Sequence, residues 1–269
     1  MGVFAMSPHD PLVTLIKTAE GKAKGERERI LTRQLLEKAP PEDLAGYSAA
    51  DLNHLVNGRL AFLAERKPGR TKIAVSNPEA PFADVTMIDI INDDMPFLVD
   101  SAIGLLTERG YDVRLALHPV LSVKRDSTGK LTGIEAKASS DSQAMRESFM
   151  HFHIARIDAA ESAKLEEDLK AVFSDVRVAV LDFRAMQQRL REAIASYQSN
   201  PPPIPIEELT ESIAFLQWLL DNHFTFLGMR EYKFAGGAKK GVLEPIGASG
   251  LGILRKSEIE VLRRGHELV

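Results

Sequence analysis

The sequence predicts an α+β chain, and three observations carry that prediction. The first ~75 residues repeat their apolar positions at helical spacing, whereas from Asp84 the period switches to the alternation of strands interleaved with helices. A run of consecutive prolines, Pro201-Pro202-Pro203, then separates a further helix and strand from what precedes them.

Taken in order, Asp10 to Ala39 reads as helix with Leu12, Leu15, Ile16 and Ala19 on one face. It is interrupted from Gly21 to Gly25, resumes with Ile30, Leu31, Gln34 and Leu35, and is stopped by Pro40-Pro41. Ser48 followed by Asp51 is a capping-box start for a helix carrying Leu52, Leu55, Val56, Leu60 and Leu63, ended by Pro68-Gly69. Residues 1–78 are therefore expected to form a helical N-terminal unit.

Within 79–182, Asp84 to Ile91 reads as a strand and Pro96 to Arg109 as a helix stopped by Gly110. Val113 to Lys124 alternates as one half-buried strand, and Asp126 to Lys130 is a turn. A strand or strand pair lies between Leu131 and Ile157, interrupted by the polar Ala138-Ser139-Ser140-Asp141-Ser142. Glu161 to Phe173 is a helix, and Val176 to Leu181 a last strand. The order βαββαβ is that of a ferredoxin-like sandwich of antiparallel sheet and two helices. Residues 183–203 are a connecting helix and proline hinge. In 204–269 a helix (Glu207 to Asn222) and a strand (Phe224 to Phe234) open a second α+β domain that is incomplete after Gly236-Gly237.

The chain has 269 residues, 44% apolar and 27% charged, which suits a soluble globular protein. A net charge of −4 argues against a general nucleic-acid binder, which needs a cationic surface to displace counterions. The absence of cysteine excludes disulfides, thiolate metal sites and cysteine catalysis, and fits a reducing cytoplasm. No run approaches a bilayer-spanning length, and Met1 to Ala19 has too short an apolar core for a secretory signal, so no membrane partner is expected.

Two groups of residues stand out as candidate sites. Asn92-Asp93-Asp94-Met95-Pro96-Phe97 is a strand-to-helix corner, where Asp93 and Asp94 either cap the helix or, with Phe97 and Ser101, frame a small effector at the helix N-terminus. His151 and His153 project from one face of a strand, opposite Met150, Phe152 and Ile154. If the strands pair, His118 joins them on an open sheet face, which reads as a domain or subunit contact rather than a metal site. Gly247-Ala248-Ser249-Gly250-Leu251-Gly252 has the wrong spacing for a dinucleotide fingerprint and reads as a loop. No P-loop, zinc-protease or nucleophile-elbow motif occurs, so no catalytic, cofactor-binding or metal residue is assigned.

The run Asn92 to Ser101, together with Leu117-His118-Pro119-Val120, the stretch Phe215 to Gly228 (FLQWLLDNHFTFLG), Arg230-Glu231-Tyr232 and Ser249-Gly250-Leu251-Gly252-Ile253, closely resembles the N-terminal region of the large, multidomain NAD-specific glutamate dehydrogenases of bacteria. The resemblance implies an ACT-like domain over 79–182 and the start of a PAS-like domain over 204–269. It further implies a regulatory and assembly role in a homo-oligomeric cytoplasmic enzyme that oxidises L-glutamate to 2-oxoglutarate and ammonia. NAD and the catalytic residues would lie in the remaining domains of that chain, and an amino acid is the implied effector. Phe97 departs from the ACT pattern, which usually has a glycine there. An autonomous ACT-type amino-acid-sensing protein is the alternative.

Overall fold

A computed structural model describes residues 11–37, 39–136, 143–235, 242–256 and 259. The expected interruption at 138–142, the Gly236-Gly237 pair and Met1 to Asp10 lie outside the described residues. The chain divides into two compact units, Met1–Phe173 and Ser174–Val269.

The first unit opens with four helices, α1 (Pro11–Gly21), α2 (Glu26–Leu36), α3 (Pro41–Leu44) and α4 (Ala49–Leu63). The Ser48 hydroxyl accepts from the Asp51 amide at 3.2 Å while the Asp51 carboxylate accepts from the Ser48 amide at 2.9 Å, so two donors that the start of α4 would leave unpaired are satisfied reciprocally. There follow β1 (Lys72–Ser76), β2 (Val85–Asp93), α5 (Leu98–Glu108), β3 (Val113–Leu117), β4 (Val120–Arg125), β5 (Leu131–Glu135), β6 (Met145–Ala155) and α6 (Ala159–Ser199).

The sheet is antiparallel, in the order β1-β2-β6-β4-β5, with β3 also on β6. The expected single strand Val113 to Lys124 is two strands, because His118-Pro119 breaks it. Pro119 has no amide to give the ladder, and its carbonyl instead accepts from the Phe149 amide at 3.0 Å.

The fold class agrees with the expectation of an α+β, ferredoxin-like domain, but one element is corrected. Val176 to Leu181 is not a strand: it lies inside α6, which runs unbroken from Ala159 to Ser199. The β-branched alternation of Val176, Val178 and Val180 suggested a strand. No glycine or proline interrupts residues 159–199, however, and Ala179, Asp182, Met186, Leu190 and Ile194 are buried at helical spacing. The sheet position beside β2 that a last strand would take is filled by β1, which precedes the domain in sequence.

Strands β2 and β6 are buried on both faces. By alternation one face carries Val85, Met87, Asp89 and Ile91 with Phe149, His151 and His153, and its apolar members share a core with Leu31, Leu35, Leu52, Leu55 and Val56 of the N-terminal helices. The helical N-terminal unit is thus a layer over the sheet. On the other face Ile88, Ile90, Met150, Phe152 and Ile154 are buried, as are Ala102 and Leu106 of α5 and Leu165, Leu169 and Phe173 of α6.

The second unit contains the end of α6, α7 (Ile206–Trp218) prolonged by a π-helical turn (Leu219–His223), and short strands β7 (Gly228–Met229), β8 (Tyr232–Ala235), β9 (Val242–Pro245) and β10 (Leu251–Gly252). β7 pairs with β10 and β8 with β9, so the expected strand Phe224 to Phe234 is interrupted at Arg230-Glu231. Its core gathers Met186, Leu190, Ile194 and Phe226. Among the described residues no helix is long and apolar enough to cross a membrane.

Candidate functional site

Two buried polar networks lie on the sheet face that the N-terminal helices cover, and arginines of α4 and the residues just after it enter both. The strand register sets them up by placing Asp89 opposite His151 and Asp93 opposite Glu147. Arg59, on the last turns of α4, meets the first pair, and Arg66, three residues past the end of that helix, meets the second.

In the first network the Arg59 Nε lies 3.1 Å from Asp89 Oδ2, and Asp89 Oδ1 lies 2.7 Å from His151 Nδ1. His151 Nε2 is 2.8 Å from His153 Nε2, and His153 Nδ1 is 2.9 Å from the Tyr47 hydroxyl. Both imidazoles are 0% exposed. Burial lowers the His151 pKa despite the neighbouring Asp89, and lowers that of His153 to about 2, with the His151 and Arg59 charges adding to the effect. With both rings neutral, one proton assignment satisfies the three hydrogen bonds from Tyr47 to Asp89, while Arg59 Nε is held by charge alone and makes no hydrogen bond among the described residues. Tyr47 donates to His153, His153 donates through Nε2 to His151, and His151 donates through Nδ1 to Asp89. Burial also raises the Tyr47 pKa, which keeps its hydroxyl a donor.

In the second network Glu147, fully buried, accepts from Arg66 (Nε 2.9 Å, Nη2 2.7 Å) and from Arg125 (Nε and Nη2, each 2.7 Å). Arg66 also donates to Asp93 at 2.7 Å and to the Arg70 carbonyl at 2.8 Å, and Arg125 donates to the Leu63 and Gly129 carbonyls. Two guanidiniums and two carboxylates balance, which is the condition for keeping charges away from water.

The expected histidine face is therefore corrected. His151 and His153 are together, as alternation required, but the face is closed by the chain's own helices rather than open. His118 is exposed in the break between β3 and β4 and is not with them. The 2.8 Å between the two Nε2 atoms leaves no room for an ion, since a metal–nitrogen bond alone takes about 2 Å. Among the described residues no group of three or more potential ligands is arranged to hold a metal.

At the Asp93-to-Ser101 corner the carboxylates are occupied. Asp93 takes Arg66 and, at 3.3 Å, the Gly69 amide, while Asp94 pairs with Arg146 at 2.9 Å. Neither caps α5, whose preceding residue is Phe97 in the left-handed region, φ +70°, with 44% of its surface exposed. The Phe97 carbonyl accepts from the Ser101 amide at 3.0 Å. The chain thus keeps the backbone conformation that favours glycine while placing a large ring there. Phe97→Gly is expected to raise stability by about 1 kcal/mol, because a residue with a Cβ pays that much in the left-handed region. Chemical denaturation measures it, and a loss of stability would show that the ring makes compensating contacts.

The glycine-rich loop of the second unit is explained by packing. A Cβ on Gly250 would stand 2.2 Å from the Leu254 carbonyl oxygen, and one on Gly252, at φ +58°, 2.2 Å from that of Leu227. The Gly252 amide donates to Asp182, which also binds Arg255 and is held below the usual carboxylate range by that guanidinium.

Sequence reasoning missed Tyr47, Arg59, Arg66, Asp89, Arg125 and Glu147. The readable signal was an acidic residue, Asp89, in the middle of an apolar strand sequence, and a second, Glu147, just ahead of the apolar alternation of β6.

A family profile described as the glutamate dehydrogenase ACT1 domain matches residues 31–169. The chain is 39% identical over 171 residues to an NAD-specific glutamate dehydrogenase of Pseudomonas aeruginosa, covering 63% of this chain and 11% of that one. It is 33% identical over 222 residues to that of Halomonas elongata (80% and 14%), and 30% identical over 198 residues to that of Mycobacterium tuberculosis (71% and 12%). The chain thus corresponds to a small fraction of the length of the relatives it matches.

Proposed function

The chain belongs to the glutamate dehydrogenase ACT1-domain family, and from that premise we propose that it is the N-terminal regulatory and assembly segment of a longer NAD-dependent glutamate dehydrogenase. The whole protein, in this reading, oxidises L-glutamate to 2-oxoglutarate and ammonia in the cytoplasm as a homo-oligomer, with NAD bound elsewhere in the chain. The observation that carries the reading is what the chain's reactive side chains do. Its buried histidines and carboxylates are bonded to one another and to arginines under a helical cover, so they hold the fold and face no substrate. The segment's partners are then the remaining domains, with Ile204 onward the opening of a PAS-like one. An amino-acid effector, where one acts, would use the corner at Phe97 through the exposed start of α5, since Asp93 and Asp94 are already paired.

Deletion of residues 1–173 from the full-length protein tests the role. Light scattering should report a changed oligomeric mass while glutamate-dependent NADH formation persists. Unchanged mass and unchanged kinetics would remove the assembly role, and lost turnover with intact assembly would place chemistry in this segment.

A further inference from the structure

We propose that the loop between α4 and β1 is a binding site for a small phosphate-bearing molecule. A cavity of about 340 Å³ is lined there by Glu65, Arg66, Lys67, Arg70, Thr71 and Lys72. Lys67-Pro68-Gly69-Arg70 is a β-turn closed by the Arg70 amide on the Lys67 carbonyl at 3.1 Å, with Gly69 at φ +75° in its third position. A turn holds its first and fourth residues within about 7 Å, so it brings the two cations together. Both are exposed, and among the described residues neither side chain has an ion-pair partner. Lys72 is the third cation. Its ammonium is fixed by the carbonyls of Phe62 (2.6 Å) and Glu65 (3.0 Å) over the Phe62 ring, and burial together with Arg125 lowers its pKa.

Beneath them Arg66 is immobilised by Glu147 and Asp93, so the floor of the cavity is built rather than fluid. Arg66, Lys67, Arg70, Lys72 and Arg125 supply five positive charges against three from Glu65, Asp93 and Glu147, an excess of two in a chain whose net charge is −4. A phosphate group carries about −1.5 to −2 charges with three acceptor oxygens, which matches that excess. The volume lies at the small end of ligand pockets and suits a phosphate or diphosphate head. This site shares Asp93 with the strand-to-helix corner but lies on the α4–β1 loop rather than at Phe97, and it does not depend on the enzyme assignment.

The test is a titration of the 269-residue chain with inorganic phosphate, pyrophosphate and ADP at constant ionic strength, followed by amide NMR, with chloride as the control. Saturable shifts are expected at Gly69, Arg70 and Thr71, and Lys67→Glu with Arg70→Glu should weaken them by about tenfold or more. Lys67→Gln with Arg70→Gln repeats the test without reversing charge, and the melting temperature of each variant shows that it is folded. Saturation by phosphate alone, with no gain from the other two, assigns free phosphate; tighter pyrophosphate or ADP binding assigns a phosphorylated metabolite. No saturable shift in this loop with any of the three, or shifts that both variants leave intact, would overturn the proposal.

Discussion

Glu147→Ala is expected to destabilise the first unit by about 3 to 5 kcal/mol, because it leaves the buried Arg125 guanidinium without a carboxylate and Arg66 with Asp93 alone. Arg66 and Arg125 have side chains 1% and 0% exposed, so neither can turn to water without opening the cover. In a protein of this size the loss corresponds to a melting temperature lower by about 10 °C. The same network predicts a rescue. Replacing Glu147 with leucine and both arginines with methionine should recover most of the loss, since apolar residues of similar volume avoid the desolvation cost of the buried charges, while Asp93, its side chain 33% exposed, keeps water and the Gly69 amide. Calorimetry of the single and triple variants measures both parts. A loss below about 1 kcal/mol for Glu147→Ala would mean that the charges are screened like surface pairs and that the network is not sealed.

Mild acid is expected to destabilise the unit through His151 and His153. In the unfolded chain an imidazole takes up a proton near its ordinary value of about 6.5, whereas in the folded chain both rings resist it. The unfolded state therefore binds more protons below that pH, and stability falls as the pH drops, while above about 7 these two groups contribute no pH dependence. Because His153 holds out to about 2, its share of the loss continues across the whole acid range. For His153 the slope approaches about 1.4 kcal/mol per pH unit, so between pH 6.5 and 5 this ring accounts for about 2 kcal/mol, and His151 adds to the loss in the same direction. Urea denaturation of the parent and of His153→Asn over that interval isolates the term, since most carboxylates titrate lower. Parallel stability curves would show that the ring is protonated, or reaches water, in the folded state.

The two networks also explain which parts of the fold were legible. Local signals were sufficient where local physics decides: the Ser48–Asp51 cap, the stop of α2 before the proline pair, and the strand-to-helix corner ending at α5. They failed where tertiary contacts decide. Val176 to Leu181 has the composition of a strand and becomes helix because the buried positions Ala179, Asp182 and Met186 follow a helical period. The alternation of β6 correctly placed His151 and His153 on one face, yet nothing local says what covers that face. The cover is a helix layer more than 80 residues earlier in the chain, and its register on the sheet is set by Arg59 and Arg66 meeting Asp89 and Asp93. The cluster was therefore readable as a set of oddly placed charges, but its closure depended on a contact that sequence spacing does not reveal.

The claim that this segment holds and regulates rather than reacts is tested most directly by following NADH absorbance with the purified 269-residue chain, glutamate and NAD, beside the full-length protein. Sustained NADH formation is expected from the full-length protein, and none above the protein-free control from the segment. Sustained turnover by the segment alone would contradict the claim.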